Sequence, residues 1–297
     1  MDPKSFKARL AADAAKVEAV LEARLPVPAG EQAVVQEAMR YSALAGGKRL
    51  RPFLVIESAR LFGVEGDGPV VAGAALECVH AYSLIHDDLP CMDDDDMRRG
   101  KPTVHKVWDE AIAVLAGDGL LTYAFELMAD ADVHPDAGVR LQLSRELAVA
   151  SGTRGMIGGQ VVDMTVAEDA RDAVLVEDLQ DMKTGALIRF GARAGAWLGG
   201  ADVEARQHLD AYARNVGLIF QITDDVLDVE GCPETVGKAV GKDANLGKAT
   251  FVSLLGLDGA KRKAKDLADD AVRHLEGFGG RADVLRACVD FVLERDR

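Results

Sequence analysis

Between Asp87 and Gly100 the chain reads DDLPCMDDDDMRRG, six aspartates within ten residues and then two arginines. Carboxylates this close repel one another, by roughly 1 kcal/mol per pair at about 4 Å in water and about 4 kcal/mol at an effective dielectric of 20. A solvated acidic loop leaves that repulsion to water. A cage for divalent cations relieves it. A second cluster, Asp224, Asp225 and Asp228, lies in NVGLIFQITDDVLDV (215–229) with apolar flanks. Residues four apart share a helix face, so Asp224 and Asp228 point the same way with Cβ atoms about 5–6 Å apart. Half-buried carboxylates without partners are costly. Such oxygen donors suit Mg2+, which keeps several waters and binds one or two carboxylates plus substrate phosphates. The first cluster is spaced differently. Asp87 and Asp93 are six residues apart, about 240° net around an ideal helix, and Pro90 between them interrupts helical hydrogen bonding. The helix is therefore expected to end or bulge after Asp88, so that Asp93 comes back round. An EF-hand is excluded, because its alternating ligands and its glycine at position six are missing.

Basic residues accompany the acidic ones. AGGKRLRP (45–52) places Lys48, Arg49 and Arg51 after a glycine stop, and one helical turn would bring Lys48 and Arg51 together. Arg98 and Arg99 follow the first acidic cluster, and Lys238, Lys242 and Lys248 sit in the glycine-rich stretch 231–251. Taken singly, each is a basic helix boundary or a solvated face. Taken together, they have a chemical logic: carboxylates hold Mg2+, Mg2+ holds a diphosphate, and arginine or lysine neutralises the remaining oxygens. No P-loop motif occurs. No Ser-His-Asp or Cys-His arrangement stands out. If the stretch 94–99 is helical, Asp94–Arg98 and Asp95–Arg99 form i,i+4 pairs that orient the arginines.

The elements that must position these groups read as helices. Apolar residues recur at helical spacing over 31–47, 51–63, 109–130, 136–151, 172–199, 202–229, 258–276 and 281–295. The segment 69–88 is apolar on nearly every side, which predicts a buried helix. No convincing strand alternation is found. Hydrophobic residues are 48% of the 297, with aromatics only 5%. This favours one all-α domain, residues 1–297, in which ten or more helices surround a deep cavity. The net charge of −14 opposes nucleic-acid binding. No uninterrupted run of 18 apolar residues and no signal-like N-terminus occur, so a cytoplasmic, non-membrane protein is expected. The four cysteines are scattered without C-x-x-C spacing, which argues against a zinc knuckle or a disulfide framework.

In order and spacing, GGKRLRP (46–52), HAYSLIHDDLPCMDDDDMRRG (80–100), GMIGGQVVDM (155–164), KTGALI (183–188), QITDDVLD (221–228) and the GK…GK stretch (237–248) resemble the bacterial short-chain trans-prenyl diphosphate synthases, the farnesyl diphosphate synthases above all. The resemblance implies a homodimer of all-helical subunits that joins isopentenyl diphosphate head to tail with an allylic diphosphate. It implies three Mg2+, two on Asp87 and Asp93 and a third on Asp224 helped by Asp228. Lys48, Arg51, His80 and Arg99 would hold isopentenyl diphosphate. Arg98, Lys183, Thr184, Gln221, Lys238 and Lys248 would surround the allylic diphosphate or its developing cation. Gln160 and Asp163 would line the cavity or serve packing, and His86 is expected to be structural. A bulky residue before the first aspartate motif closes the cavity in this family. Tyr82, with Ser83, is thus the expected floor, and an aromatic there matches a C15 rather than a C20 product. ATFVS (249–253) departs from the family in lacking a proline, which bears only on the local loop. A geranylgeranyl diphosphate synthase is the competing enzyme, and a non-catalytic acidic metal-binding subunit the competing non-enzyme.

Overall fold

The computed structural model describes residues 1–167, 170–230 and 250–295. Its helices are α1 (Pro3–Arg24), α2 (Ala33–Ala43), α3 (Leu50–Leu61), α4 (Gly68–Asp87), α5 (Val104–Val107), α6 (Glu110–Ala129), α7 (Ala137–Ser151) and α8 (Met156–Thr165). They continue as α9 (Ala173–Gln180), α10 (Ala186–Leu198), α11 (Val203–Glu230), α12 (Phe251–Leu255), α13 (Leu257–His274) and α14 (Asp283–Leu293). Among the described residues the only strands are β1 (Met97–Arg98) and β2 (Lys101–Pro102), a minimal antiparallel hairpin. The expected all-α fold is thus present.

The helix α4 runs through the core, packed along α6 and α3, while α10 bridges α3 and α11. Its valines and alanines, with Leu76, Tyr82 and Ile85, are buried on several sides. This is what an all-round apolar helix requires. A second core joins Phe6, Phe53, Leu54, Tyr212 and Val289 from α1, α3, α11 and α14. Both α4 and α6 are long and apolar enough to cross a membrane by length and composition, and α4 is 78% buried inside the fold.

Three features differ from expectation. The helix α1 was not anticipated. Its buried stripe runs Phe6, Leu10, Asp13, Val17, Leu21, and the aspartate hides the period. Asp13 is buried because Arg60 on α3 holds both its oxygens, at 2.6 and 2.8 Å. The helix α8 was not anticipated either, its paired glycines, Gly158 and Gly159, being poor helix formers. Finally, the segment expected as one helix over 172–199 is α9 and α10 joined by a π turn, Asp181–Gly185.

Candidate active site

The helix α4 ends at Asp87, with Asp88 as its C-cap. The chain then folds back on itself. The Asp93 amide donates to the Asp87 carbonyl at 2.8 Å, and the Asp94 amide to the Leu89 carbonyl at 3.2 Å. Asp93 therefore returns beside Asp87 across Pro90, as the spacing demanded. Burial, to which Asp93 adds, pushes the half-buried Asp87 carboxyl up to about 6, while Lys183 pulls the other way. Burial disfavours the charged form, and the neighbouring cations Lys183 and Arg98 do not fully offset it.

Asp94 adopts a left-handed conformation, φ 50°, so the stretch after Asp93 is not helical and the expected Asp94–Arg98 and Asp95–Arg99 ladder does not form. Arg98 instead grips the buried Asp88, with its Nε 2.8 and 2.9 Å from the two oxygens and Nη2 2.6 Å from Oδ1. Asp88 is thus the residue that orients Arg98. Asp96 pairs with Lys106 at 2.8 Å. Asp94, Asp96 and His105 bring ligand atoms within 4.8 Å of one another, a group able to hold a metal ion.

Arg99 is also left-handed, φ 52°. Its guanidinium donates to the Gly46 carbonyl, and a Cβ on Gly47 would lie 2.9 Å from it. Gly47 is needed because the guanidinium packs against it, and both Gly46 and Gly47 hold positive φ, 79° and 127°, which side chains rarely adopt. Arg49, at the N-cap of α3, is buried and paired with Glu77 at 2.6 Å, which makes it a structural residue. Lys48 and Arg51 do not share a helical turn. The left-handed Arg49 intervenes, and Lys48 lies ahead of α3, 5.7 Å from the Phe291 ring centre. Arg51, in the first turn, sits 3.4 Å from His80 Nε2 on α4, and its own Nε is buried without a partner. Burial drives the charge of both Arg51 and His80 down. For His80 the neighbouring Arg51, Arg99 and Arg98 add to the effect. This cationic corner is as frustrated as the acidic one.

The π turn presents Lys183 and Thr184. Lys183 Nζ donates to Asp163 Oδ2 at 2.7 Å, and among charged groups it acts most strongly on Asp87. Gln221 on α11 donates to Gln180 Oε1 at the end of α9, 2.9 Å away. Gln160 is half-buried and its Oε1 lacks a partner. One turn beyond Gln221, Asp224 is held by Arg295 at 2.5 Å. Arg295 also donates to the Phe220 carbonyl at 2.7 Å and covers the Phe220 ring at 3.7 Å. That arginine was missed, since a basic residue near a chain end carries no periodic signal. Asp225 is buried and accepts the Phe251 amide at 2.8 Å, anchoring α12. Asp228 lies half-buried one turn past Asp224. Lys238, Lys242 and Lys248 lie outside the described residues.

Tyr82 is 5% exposed, and its hydroxyl is buried without a partner. Its ring meets His86 edge-on, centroids 5.7 Å apart. His86 in turn reaches the Val114 carbonyl on α6 at 3.1 Å, in line with a structural role. Ser83 turns its hydroxyl back to the His80 carbonyl at 2.9 Å.

A family model described as polyprenyl synthetase matches residues 32–289. A farnesyl diphosphate synthase from Escherichia coli (strain K12) is 47% identical over 278 residues, 92% of either chain. One from Geobacillus stearothermophilus is 46% identical, covering 88% of this chain and 87% of its own. A chloroplastic geranylgeranyl pyrophosphate synthase from Capsicum annuum is 42% identical over 99% of this chain and 80% of its own. The crystal structure of an FPP/GFPP synthase from Zymomonas mobilis superposes with a TM-score of 0.89 at 45% identity, covering 98% of this chain and 100% of that one.

Proposed function

The chain belongs to the polyprenyl synthetase family, and from that premise we propose that it is a farnesyl diphosphate synthase. It joins isopentenyl diphosphate head to tail with dimethylallyl and then geranyl diphosphate. The observation that carries this reading is the fold-back that sets Asp93 beside Asp87, together with the buried corner in which Arg51 meets His80 and keeps an unpartnered Nε. Asp87 is pushed toward neutrality beside Asp93, while Arg51 and His80 are pushed the same way beside Arg98 and Arg99. A magnesium diphosphate relieves both at once.

The donor set fits Mg2+. Asp87 and Asp93 offer hard oxygens from one motif, Asp224 and Asp228 from the other, and Asp224 already draws a cation in Arg295. On this reading Asp87, Asp93, Asp224 and Asp228 would hold three ions, which would supply Lewis-acid pull on the departing diphosphate. The protein's own groups do the rest. Lys48, Arg51, His80 and Arg99 hold isopentenyl diphosphate, aiming its alkene at the allylic carbon. Arg98, Lys183, Lys238 and Lys248 take up charge developing on the leaving diphosphate. Thr184 and Gln221 turn oxygens toward the allylic cation. Proton removal needs no side-chain base, because the released diphosphate is itself basic and adjacent. Tyr82, with Ser83, floors the cavity, which favours C15 over the C20 product of a geranylgeranyl diphosphate synthase.

The protein is proposed to act as a cytoplasmic homodimer that binds neither nucleic acid nor membrane. The helix α6 is apolar along its length yet only 44% buried within the protomer, as a dimer-forming helix would be. The test supplies isopentenyl diphosphate with dimethylallyl or geranyl diphosphate, with and without Mg2+, and reads product length. A Mg2+-dependent C15 product is expected. No condensation under any metal condition overturns the reading in favour of a non-catalytic metal-binding subunit, and a C20 product overturns the assignment of chain length.

A further inference from the structure

Lys183 is held from behind by a chain of contacts that begins at a residue outside every motif. The helix α8 touches the π turn backbone to backbone. A Cβ on Gly159 would lie 2.4 Å from the Lys183 amide nitrogen. One turn further along α8, Asp163 Oδ2 accepts from Lys183 Nζ at 2.7 Å. The other oxygen, Oδ1, accepts from Arg171 Nη1 at 3.1 Å. Arg171 is itself fixed. Its side chain is 4% exposed, and it donates to the Asp163 carbonyl and, at 2.9 and 3.2 Å, to the Val166 carbonyl.

We propose that Arg171 is a positioning residue for prenyl transfer. It pins Asp163 so that one oxygen remains for Lys183, and the place of the Lys183 ammonium is thereby fixed. The inference rests on the transferase reading above and adds to it a residue that touches neither substrate nor metal. The physical reason is geometric. A carboxylate with a single cationic partner can rotate about its Cβ–Cγ bond and carry that partner with it. A carboxylate clamped on Oδ1 by a guanidinium that also grips two backbone carbonyls cannot. An ammonium on a four-carbon stem needs such a stop, because its own rotamers do not supply one. An ångström of misplacement at a group facing the reacting centre is enough to cost rate.

The same guanidinium also caps the C-terminal carbonyls of α8, so a purely structural role must be separated from positioning. The experiment measures steady-state kinetics of Arg171→Met, Arg171→Lys, Asp163→Asn and the Arg171→Met/Asp163→Asn pair, with melting temperatures alongside. Arg171→Met is expected to lower kcat about tenfold, with KM for isopentenyl diphosphate unchanged within about twofold. Arg171→Lys, which keeps a cation on Oδ1, is expected to recover kcat to within about threefold of the parent. In the Asp163→Asn background the Met substitution is expected to change kcat less than about twofold, because the intermediary has been removed. An unchanged kcat in Arg171→Met, or an equal fall in both backgrounds, overturns the positioning role and leaves the transferase reading intact. If Arg171→Met fails to fold, Arg171→Lys carries the test, and a kcat more than tenfold below the parent overturns the proposal. Absence of condensation by the unsubstituted protein overturns the transferase reading, and the positioning role with it.

Discussion

Asp87 carries two of the consequences at the residue scale. Burial and Asp93 raise its folded-state value to about 6, above the ordinary carboxyl value near 3.9. The stabilising contribution of its protonated form is therefore fully present below about pH 4 and is lost as pH rises through about 6. In metal-free protein this costs on the order of 2–3 kcal/mol by pH 7. Melting curves of the protein and of Asp87→Asn should diverge across this window, with the substituted protein relatively more stable at pH 7. Added Mg2+ should raise the melting temperature of the parent at pH 7 and lose that effect below about pH 6; a flat difference across pH 4–7 would refute the assignment. Arg98 is held chiefly by Asp88, which grips it through hydrogen bonds. Asp88→Asn should raise KM for the allylic diphosphate about tenfold, with Asp94→Asn near parental. Tyr82→Ala should lengthen the product beyond C15, read by chromatography of the dephosphorylated alcohols. The break after Asp88 and the shared face of Asp224 and Asp228 were legible because spacing around Pro90 and across one turn of α11 is a statement about angles, whereas Asp87 and Asp93 as metal ligands came from the family resemblance. Asp88–Arg98, Arg171 and Arg295 were not legible, because ion pairs across a loop or between distant segments have no period to read.

At the scale of elements, what matters is where a helix stops or changes pitch. The end of α4 at Asp87 was readable from Pro90 two residues past the C-cap, since a proline there cannot continue the ladder. The π turn Asp181–Gly185 was not readable, because its sequence, DMKTG, has ordinary helical residues. It is imposed by tertiary contact with α8, and such widened turns recur at functional sites because they re-aim side chains. Gly159 makes that contact possible. Gly159→Ala places a methyl 2.4 Å from the Lys183 amide nitrogen, so the turn must shift. We expect kcat to fall at least tenfold while far-ultraviolet circular dichroism keeps the parental helix content. Parental kcat would show that the turn's position does not set the rate. The missed helix α1 teaches the complementary lesson. Its stripe is intact once Asp13 is counted as an inward residue, and only the Arg60 partner, on another element, licenses that.

At the scale of the whole molecule, the described residues leave apolar side chains uncovered on more than one helix, among them Ile157, Val161 and Met164 on α8. The helix α4 is sealed by α3 and α6, whereas on α6 itself Val114 and Leu115 are exposed, at 40% and 51%. Val107 on the preceding α5 is exposed at 43%. An apolar surface of this kind on a chain with a net charge of −14 is not a solubility device. It fits a symmetric contact, in which the same patch meets itself across a two-fold axis. The same helix connects this surface to the site, since the Val114 carbonyl pairs with His86, whose ring meets Tyr82 edge-on. On the proposed reading, closing the outer face would brace the Tyr82 floor from behind. Leu115→Asp puts two like charges against each other across the axis. It should convert a dimer to a monomer in sedimentation velocity at micromolar concentration. Because the floor loses its brace, the monomer should also give a broader spread of product lengths than the parent. A dimer that persists in Leu115→Asp would place the interface on another face, and a monomer with the parental product would show that the floor stands without its partner.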